Sequence, residues 1–296
     1  MRFTEEQLKS WAAALSETED ERAQHSIKMI KDALLESDDL INLDYDIFLQ
    51  GSYANNTNVR TDSDVDVCVM LKSTFYYRLP NGRKPEEYGI VPATMTFPQF
   101  RGYVKDALVS MFGKGNVSDG NKSLKIGKNT YHVQADVVPA FQYRYYSKIN
   151  GDIFIEGIKF YSQDGREVIN YPKLHKAHGI SKNNNTQRKY KRLVRIMKHI
   201  KNNMAESGLT DGDKITSFLI ECLVWNLPDE LICRCDNWNE TVYLAICYLY
   251  TEIQNQRHID WKEVSRMLPL FMERKWTDRD VMQWLVAAWN YMDFVC

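Results

Sequence analysis

The sequence predicts an α+β protein, and three observations carry that expectation. Short runs alternate apolar and polar residues near 45–50, 64–71, 131–138 and 153–160, the period of two that a β-strand requires. From about residue 186 helical spacing takes over, in segments near 186–206, 214–226, 237–256, 260–272 and 277–293. Neither a low-complexity linker nor an internal repeat interrupts the order. The expected division is therefore a strand-bearing lobe over 1–185 and a helical lobe over 186–296.

Thr4-x-x-Gln7 and Thr18-x-x-Glu21 both have the form of a capping box. The first opens a stretch with Leu8, Trp11 and Leu15 at helical spacing, the second one with Ala23, Ile27, Ile30 and Leu34. Strands follow at 45–50 and 64–71. Pro80-Asn81-Gly82 marks a turn. Phe100, Val104, Ala107, Leu108 and Met111 predict a helix over about 98–111. Residues 113–128 are rich in Gly, Asn and Lys and read as a turn between strands, with Lys114, Lys122, Lys125 and Lys128 on a solvated loop.

The most informative stretch is QGSYANNTNVRTDSDVDVCVML, residues 50–71. Asp64 and Asp66 alternate with Val65, Val67 and Val69, so both carboxylates fall on one strand face and the valines on the other. Two carboxylates side by side repel unless a cation lies between them, and an all-oxygen site suits Mg²⁺, which draws its other ligands from water and substrate phosphates. Gly51-Ser52 follows the apolar run Ile47-Phe48-Leu49, with eleven residues between Ser52 and Asp64. Glycine lets backbone approach a phosphate closely, and the serine hydroxyl and nearby N–H groups can donate to its oxygens. In YHVQADVVPA, residues 131–140, Asp136 shares the polar face of a further strand with His132 and Gln134. A two-metal site needs such a third carboxylate, as ligand and to help accept a proton from an attacking hydroxyl.

The arrangement QGS, DVD and ADVVPAF resembles the DNA polymerase β nucleotidyltransferase superfamily. Within it, GSYANNTNVRTDSDVDVCV followed by ADVVPAFQYRYY is most similar to the bacterial CD-NTases, relatives of cyclic GMP–AMP synthase and oligoadenylate synthase. The resemblance implies a polymerase β-type lobe with a mixed sheet, a helical lobe, and first helices that pack across both. It implies Asp64, Asp66 and Asp136 as catalytic residues holding two Mg²⁺ ions, with Mn²⁺ able to substitute, about 3.5–4 Å apart. It implies Gln50, Gly51 and Ser52 on the phosphates of a nucleoside triphosphate.

The helix expected at 186–206 is the second unusual feature. Arg188, Lys189, Lys191, Arg192, Arg195, Lys198 and Lys201 are seven basic residues without one carboxylate among them. Tyr190, Leu193, Val194, Met197 and Met204 form its apolar stripe. With no acidic partner at i±4, a polyanionic ligand is the expected counter-charge. The resemblance gives Lys198 to the triphosphate, and adds Ser217 from the next helix.

Composition narrows the functional classes. The chain has 296 residues, a net charge of −1 and 44% hydrophobic residues, so no global basic field draws it to long nucleic acid. No apolar run reaches the roughly 18–20 residues that span a bilayer. The opening MRFTEEQLKSW lacks the apolar core of a signal peptide, so a cytoplasmic protein is expected. Cys68, Cys222, Cys233, Cys235, Cys247 and Cys296 sit mostly in apolar runs, as reduced cysteines do, and Cys233-x-Cys235 lacks the second pair of a zinc site.

The resemblance then implies a template-independent enzyme that makes a cyclic di- or trinucleotide second messenger from nucleoside triphosphates, releasing pyrophosphate, in bacterial anti-phage signalling. A downstream effector would sense the product. The alternative is transfer of a nucleotide to an RNA end or a protein hydroxyl. Tyr143, Tyr145 and Tyr146 are candidates to stack on a base. Residues 174–186 would connect the lobes, with His175 and His178 as loop or pocket residues and His178 or Asn183 to Asn185 as candidate base readers.

Overall fold

The structure, a computed structural model, describes residues 2–14, 17–59, 64–127, 134–147 and 153–295. Along the chain run α1 (Glu5–Ala12), α2 (Glu17–Leu35), β1 (Tyr45–Leu49), α3 (Gly51–Asn55), β2 (Val65–Arg78), α4 (Phe97–Phe112), β3 (Val117–Asp119), β4 (Leu124–Ile126), β5 (Ala135–Tyr146), β6 (Phe154–Tyr161) and β7 (Glu167–Asn170). Then follow α5 (Pro172–Asn185), α6 (Lys189–Glu206), α7 (Ser217–Trp225), α8 (Asp229–Cys233), α9 (Trp238–Gln254) and α10 (Asp278–Tyr291). Two compact units result: 16–54 with 60–173, and 1–15 with 55–59 and 174–296. α1 belongs to the second and α2 to the first.

The first unit is built on a mixed sheet, ordered β1-β2-β5-β4-β3, with β6 on the far half of β5 and β7 beside β6. β2 and β5 run parallel, and the chain between them passes through α4 and the β3–β4 hairpin. A parallel pair needs such a crossover, whereas β1 joins β2 antiparallel through α3. Val67 to Leu71 are five consecutive buried residues, as expected where both faces of a strand are covered. α2 and α4 contribute Ile27, Ile30, Leu34, Phe100, Val104 and Leu108 to the same core. Only at the entry to β2 does strict alternation survive, with Val65 and Val67 buried and Asp66 between them half-buried.

The second unit packs around α6. Tyr190, Leu193, Val194, Met197, Ile200 and Met204 are buried in one core with residues of α1, α7, α9 and α10. Thr4 caps α1 as expected, donating its N–H to Gln7 while Gln7 N–H donates back to its hydroxyl. Thr18 lies within α2, where the side chains of the first turn fall outside the described residues.

Three expectations from the sequence differ from the structure. Residues 260–272 are not helical: Glu263 N–H donates to Leu268 O, Leu270 N–H to Trp261 O, and Lys262 bridges Pro269. Proline lacks the N–H of a helix interior and its ring clashes with the carbonyl four residues back, which is Ser265. Residues 113–128 hold a hairpin, β3–β4, rather than a plain turn; Lys128 lies outside the described residues. Residues 174–186, read as a connection, are mostly α5. Its buried face is His175, Gly179 and Lys182, a helical spacing that an apolar count overlooks. Pro172 at its first position suits a helix start.

Candidate active site

Three carboxylates gather where β2 and β5 begin. The parallel register sets Asp66 directly opposite Asp136, one pair along from Val65 and Ala135. Parallel strands in register point paired residues to the same face, so one strand's alternation carries the other's carboxylate with it. Asp64 precedes β2 by one residue, and Val65 N–H donates to Gln134 O at 3.0 Å. Gln134 Nε2 in turn donates to Asp64 Oδ2 at 3.3 Å. Tyr131 to Val133, expected to begin this strand, lie outside the described residues.

The Gly-Ser turn lies against these carboxylates. Gln50 N–H donates to Asp66 O at 2.9 Å, which ends β1 beside Asp66. Gly51 follows at φ +65°, in the left-handed region. A Cβ at Gly51 would stand 2.9 Å from Asp66 Cγ and nearer still to Oδ2. Glycine is thus required twice, by conformation and by space. Ser52 comes next, half-buried in the first turn of α3.

Mutual repulsion marks the cluster. Asp66 is pushed up to about 7, by burial first and then by the charges of Asp136 and Asp64. Asp64 is raised too, by burial and by Asp136, while Lys125 pulls it the other way. Asp136 Oδ1 is buried without a hydrogen-bond partner among the described residues. An orphaned carboxylate oxygen beside two like charges fits a divalent cation. Among the described residues no group of three acidic, His or Cys side chains is placed to hold a metal ion by itself.

Lys125 is a residue that composition concealed. It sits on β4 in register with Asp136, not on a free loop. Its signal was the alternation Leu124-Lys125-Ile126, buried, exposed, buried, only three residues long.

The helical unit holds the other expected residues. Ser217 opens α7, but the cap is Thr216, whose hydroxyl accepts from Leu219 N–H at 3.1 Å. Lys198 is 2% exposed, and its ammonium donates to Thr57 O at 3.0 Å, Thr57 Oγ1 at 2.9 Å and Glu221 Oε2 at 3.0 Å. Arg195 is also buried: Nη1 donates to Asn56 O and both Nε and Nη2 to Ala12 O. The basic face of α6 is therefore not wholly solvated. The acidic partner that α6 lacks comes from α7, as Glu221. The sign of it in the sequence is one carboxylate in the apolar run FLIECLVW.

Packing or hydrogen bonds engage several of the base-reading candidates, while Asn184 and Asn185 are exposed. Tyr143 and Tyr146 are buried, the first edge-on to Tyr171 and the second against Tyr88 and Phe154. Tyr145 lies under Arg78. His175 Nε2 pairs with Glu221 Oε1 at 3.0 Å. His178 Nδ1 meets Val264 O at 2.9 Å and its ring stacks on Trp225. Asn183 Oδ1 accepts from Lys191 N–H.

Comparison with known proteins agrees with this architecture. Residues 27–224 match the family described as nucleotidyltransferase domain, and residues 177–293 the family described as cGAS/DncV-like nucleotidyltransferase C-terminal helical domain. A cyclic dipyrimidine nucleotide synthase, CdnE, from Cecembia lonarensis is 40% identical over 99% of both chains. The solved structure of a CdnE c-UMP-AMP synthase from Rhodothermus marinus, with Apcpp and Upnpp, superposes with a TM-score of 0.87 at 30% identity, covering 99% of this chain and 98% of that one. The CdnE cyclic dinucleotide synthase of Elizabethkingia meningoseptica, with GTP and Apcpp, gives 0.83 at 33% identity over 99% and 100%.

Proposed function

This chain belongs to the bacterial CD-NTases, and from that premise we propose how its residues carry out nucleotide transfer. It is a nucleotidyltransferase that joins nucleoside triphosphates into a cyclic di- or trinucleotide with loss of pyrophosphate, and it uses divalent metal. No described helix is long and apolar enough to cross a membrane.

The observation that carries the mechanism is the register pairing of Asp66 with Asp136, with Asp64 two residues before and Gly51 against Asp66. Asp64, Asp66 and Asp136 would hold two Mg²⁺ ions, or Mn²⁺ in their place. The bound cations supply charge neutralisation at the triphosphate and lower the pKa of the acceptor hydroxyl. Asp136 offers its unpartnered oxygen toward that hydroxyl's proton. Gln50, Gly51 and Ser52 hold the donor's phosphates, with Gly51 admitting them to the carboxylates. Ser217 and Lys198 are the helical unit's candidates for the phosphate tail, and Lys198 must release Thr57 or Glu221 to reach one. The protein's contribution is positioning and charge, since phosphoryl chemistry asks for little else. The product would act as a second messenger on an effector protein in the cytoplasm, in anti-phage signalling.

The test is a product assay. Purified chain, all four ribonucleoside triphosphates and Mg²⁺ should yield a phosphatase-resistant species with the mass of a cyclic di- or trinucleotide. Asp64→Asn and Asp66→Asn should yield none while remaining folded by circular dichroism. Unimpaired turnover in either variant would overturn the assignment.

A further inference from the structure

Residues 55–59 lie in an unusual place. They follow the phosphate turn directly and precede the strand of Asp64 and Asp66, yet they belong to the helical unit. Five residues cannot form a core of their own, so something in that unit must hold them. Asn55, Thr57 and Asn58 are all buried, at 7%, 0% and 6% exposed. Asn56 adopts φ +52°, a left-handed conformation that Asn tolerates better than most side chains.

What holds them is a closed set of charge-assisted bonds. Two consecutive carbonyls are taken by two cations one turn apart on α6, Asn56 O by Arg195 and Thr57 O by Lys198. Thr57 Oγ1 accepts from Lys198 and donates to Glu221 Oε2 at 2.8 Å. The other oxygen of Glu221 is paired with His175. Both carboxylate oxygens, all three ammonium donors and the hydroxyl are thereby used, across separations of 141 and 164 residues. Burial would push the Glu221 carboxyl up, but Lys198 and His175 hold it well below the usual range, so it stays charged.

We infer that Glu221 is a positioning residue for nucleotide transfer: through Lys198 and Thr57 it fixes residues 55–59, and with them the end of the stretch that follows the phosphate turn. The inference rests on the proposed roles of Gly51, Ser52, Asp64 and Asp66. It gives Lys198 a task at Thr57 distinct from any contact with phosphate. A misplacement of about 1 Å at the turn is enough to cost roughly a hundredfold in rate, so a clamp remote from the chemistry can govern kcat.

Thr57→Val, which removes the hydroxyl and keeps the shape, is compared with Glu221→Gln, Thr57→Ser and wild type in the full-length protein. Cyclic product formation is followed against triphosphate concentration, with melting temperature as the control for folding. Thr57→Val and Glu221→Gln are expected to lose at least tenfold in kcat with KM nearly unchanged, and Thr57→Ser to recover most of it. Unchanged kcat in folded Thr57→Val, or a loss confined to KM, would overturn the inference; the latter would mean that these residues serve nucleotide binding. Amide hydrogen exchange at residues 55–59 supplies a readout independent of turnover. Protection lost in Thr57→Val and Glu221→Gln supports the clamp, and protection unchanged refutes it, even if wild type forms no product and the functional reading itself fails.

Discussion

Two charged clusters in this molecule obey opposite electrostatics. At the entry to β2 and β5, three carboxylates share one face, and among the described residues the exposed Lys125 lies in register beside them. Between α6 and α7, one carboxylate meets an ammonium, a hydroxyl and an imidazole, and every donor finds its acceptor. In the first cluster Asp64 and Asp66 are raised toward protonation, Asp66 to about 7. The second holds Glu221 far down. A cluster that the protein leaves unbalanced is waiting for something from solution. A cluster that the protein balances by itself is architecture. Lys198, which the family resemblance assigns to a triphosphate, is in this structure a member of the balanced cluster.

The largest expected effect breaks the unbalanced cluster. Asp66→Asn should lower turnover by roughly a thousandfold or more, the several kcal/mol that metal-held charge stabilisation is worth. The same change should not destabilise the metal-free fold, because it removes a repelled charge; a urea titration checks this.

Breaking the balanced cluster should do the reverse to stability. Lys198→Met leaves Glu221 buried with its main counter-charge gone and should cost about 3–5 kcal/mol in urea unfolding. Lys198→Met combined with Glu221→Leu should recover most of that loss, since an apolar pair of similar volume avoids the desolvation cost. If the double variant is no better than the single, the charge pairing is not what stabilises α6 against α7.

A smaller effect tests the contact between turn and carboxylate. Gly51→Ala forces a Cβ into Asp66 and a left-handed conformation on alanine. Activity should fall by roughly tenfold to a hundredfold, with the fold retained by circular dichroism.

The smallest effect is in pH, where the clusters should respond with opposite sign. Folded Asp66 keeps its proton to about 7, against 3.8 for the ordinary group. Its contribution to metal-free stability is therefore full below 3.8 and is lost as pH rises through 7. Glu221 contributes above its ordinary 4.5 and loses that contribution as pH falls. Metal competes with the proton on Asp66. The rise in melting temperature on adding Mn²⁺ should accordingly be greater at pH 8 than at pH 6, and Asp66→Asn should abolish the difference.

Much of the candidate site was legible because its pattern is local. Asp64 and Asp66 are two residues apart, one just before β2 and one within it, and period two predicts both on one face whatever the rest of the chain does. Gly51 was legible for the same reason, as a turn after an apolar run. The α+β division and the amphipathic helices followed from periods of 2 and 3.6. Where a period was written in polar residues, as in His175, Gly179 and Lys182 of α5, it was overlooked. Where the run was too short, as in β4, Lys125 was taken for a loop residue. At 260–272 the apolar spacing was persuasive and Pro269 overrode it.

The sequence by itself determined which residues are candidates for the chemistry and which side of a strand they were expected to occupy, because steric alternation acts between neighbours. Only the tertiary structure decided how charges are balanced. The register of β2 on β5 set Asp136 against Asp66, and the packing of α6 on α7 brought Glu221 to Lys198 and to Thr57, 164 residues away. A charge is screened, paired or repelled according to what lies within a few ångströms of it, and for these groups the neighbours that matter come from distant parts of the chain.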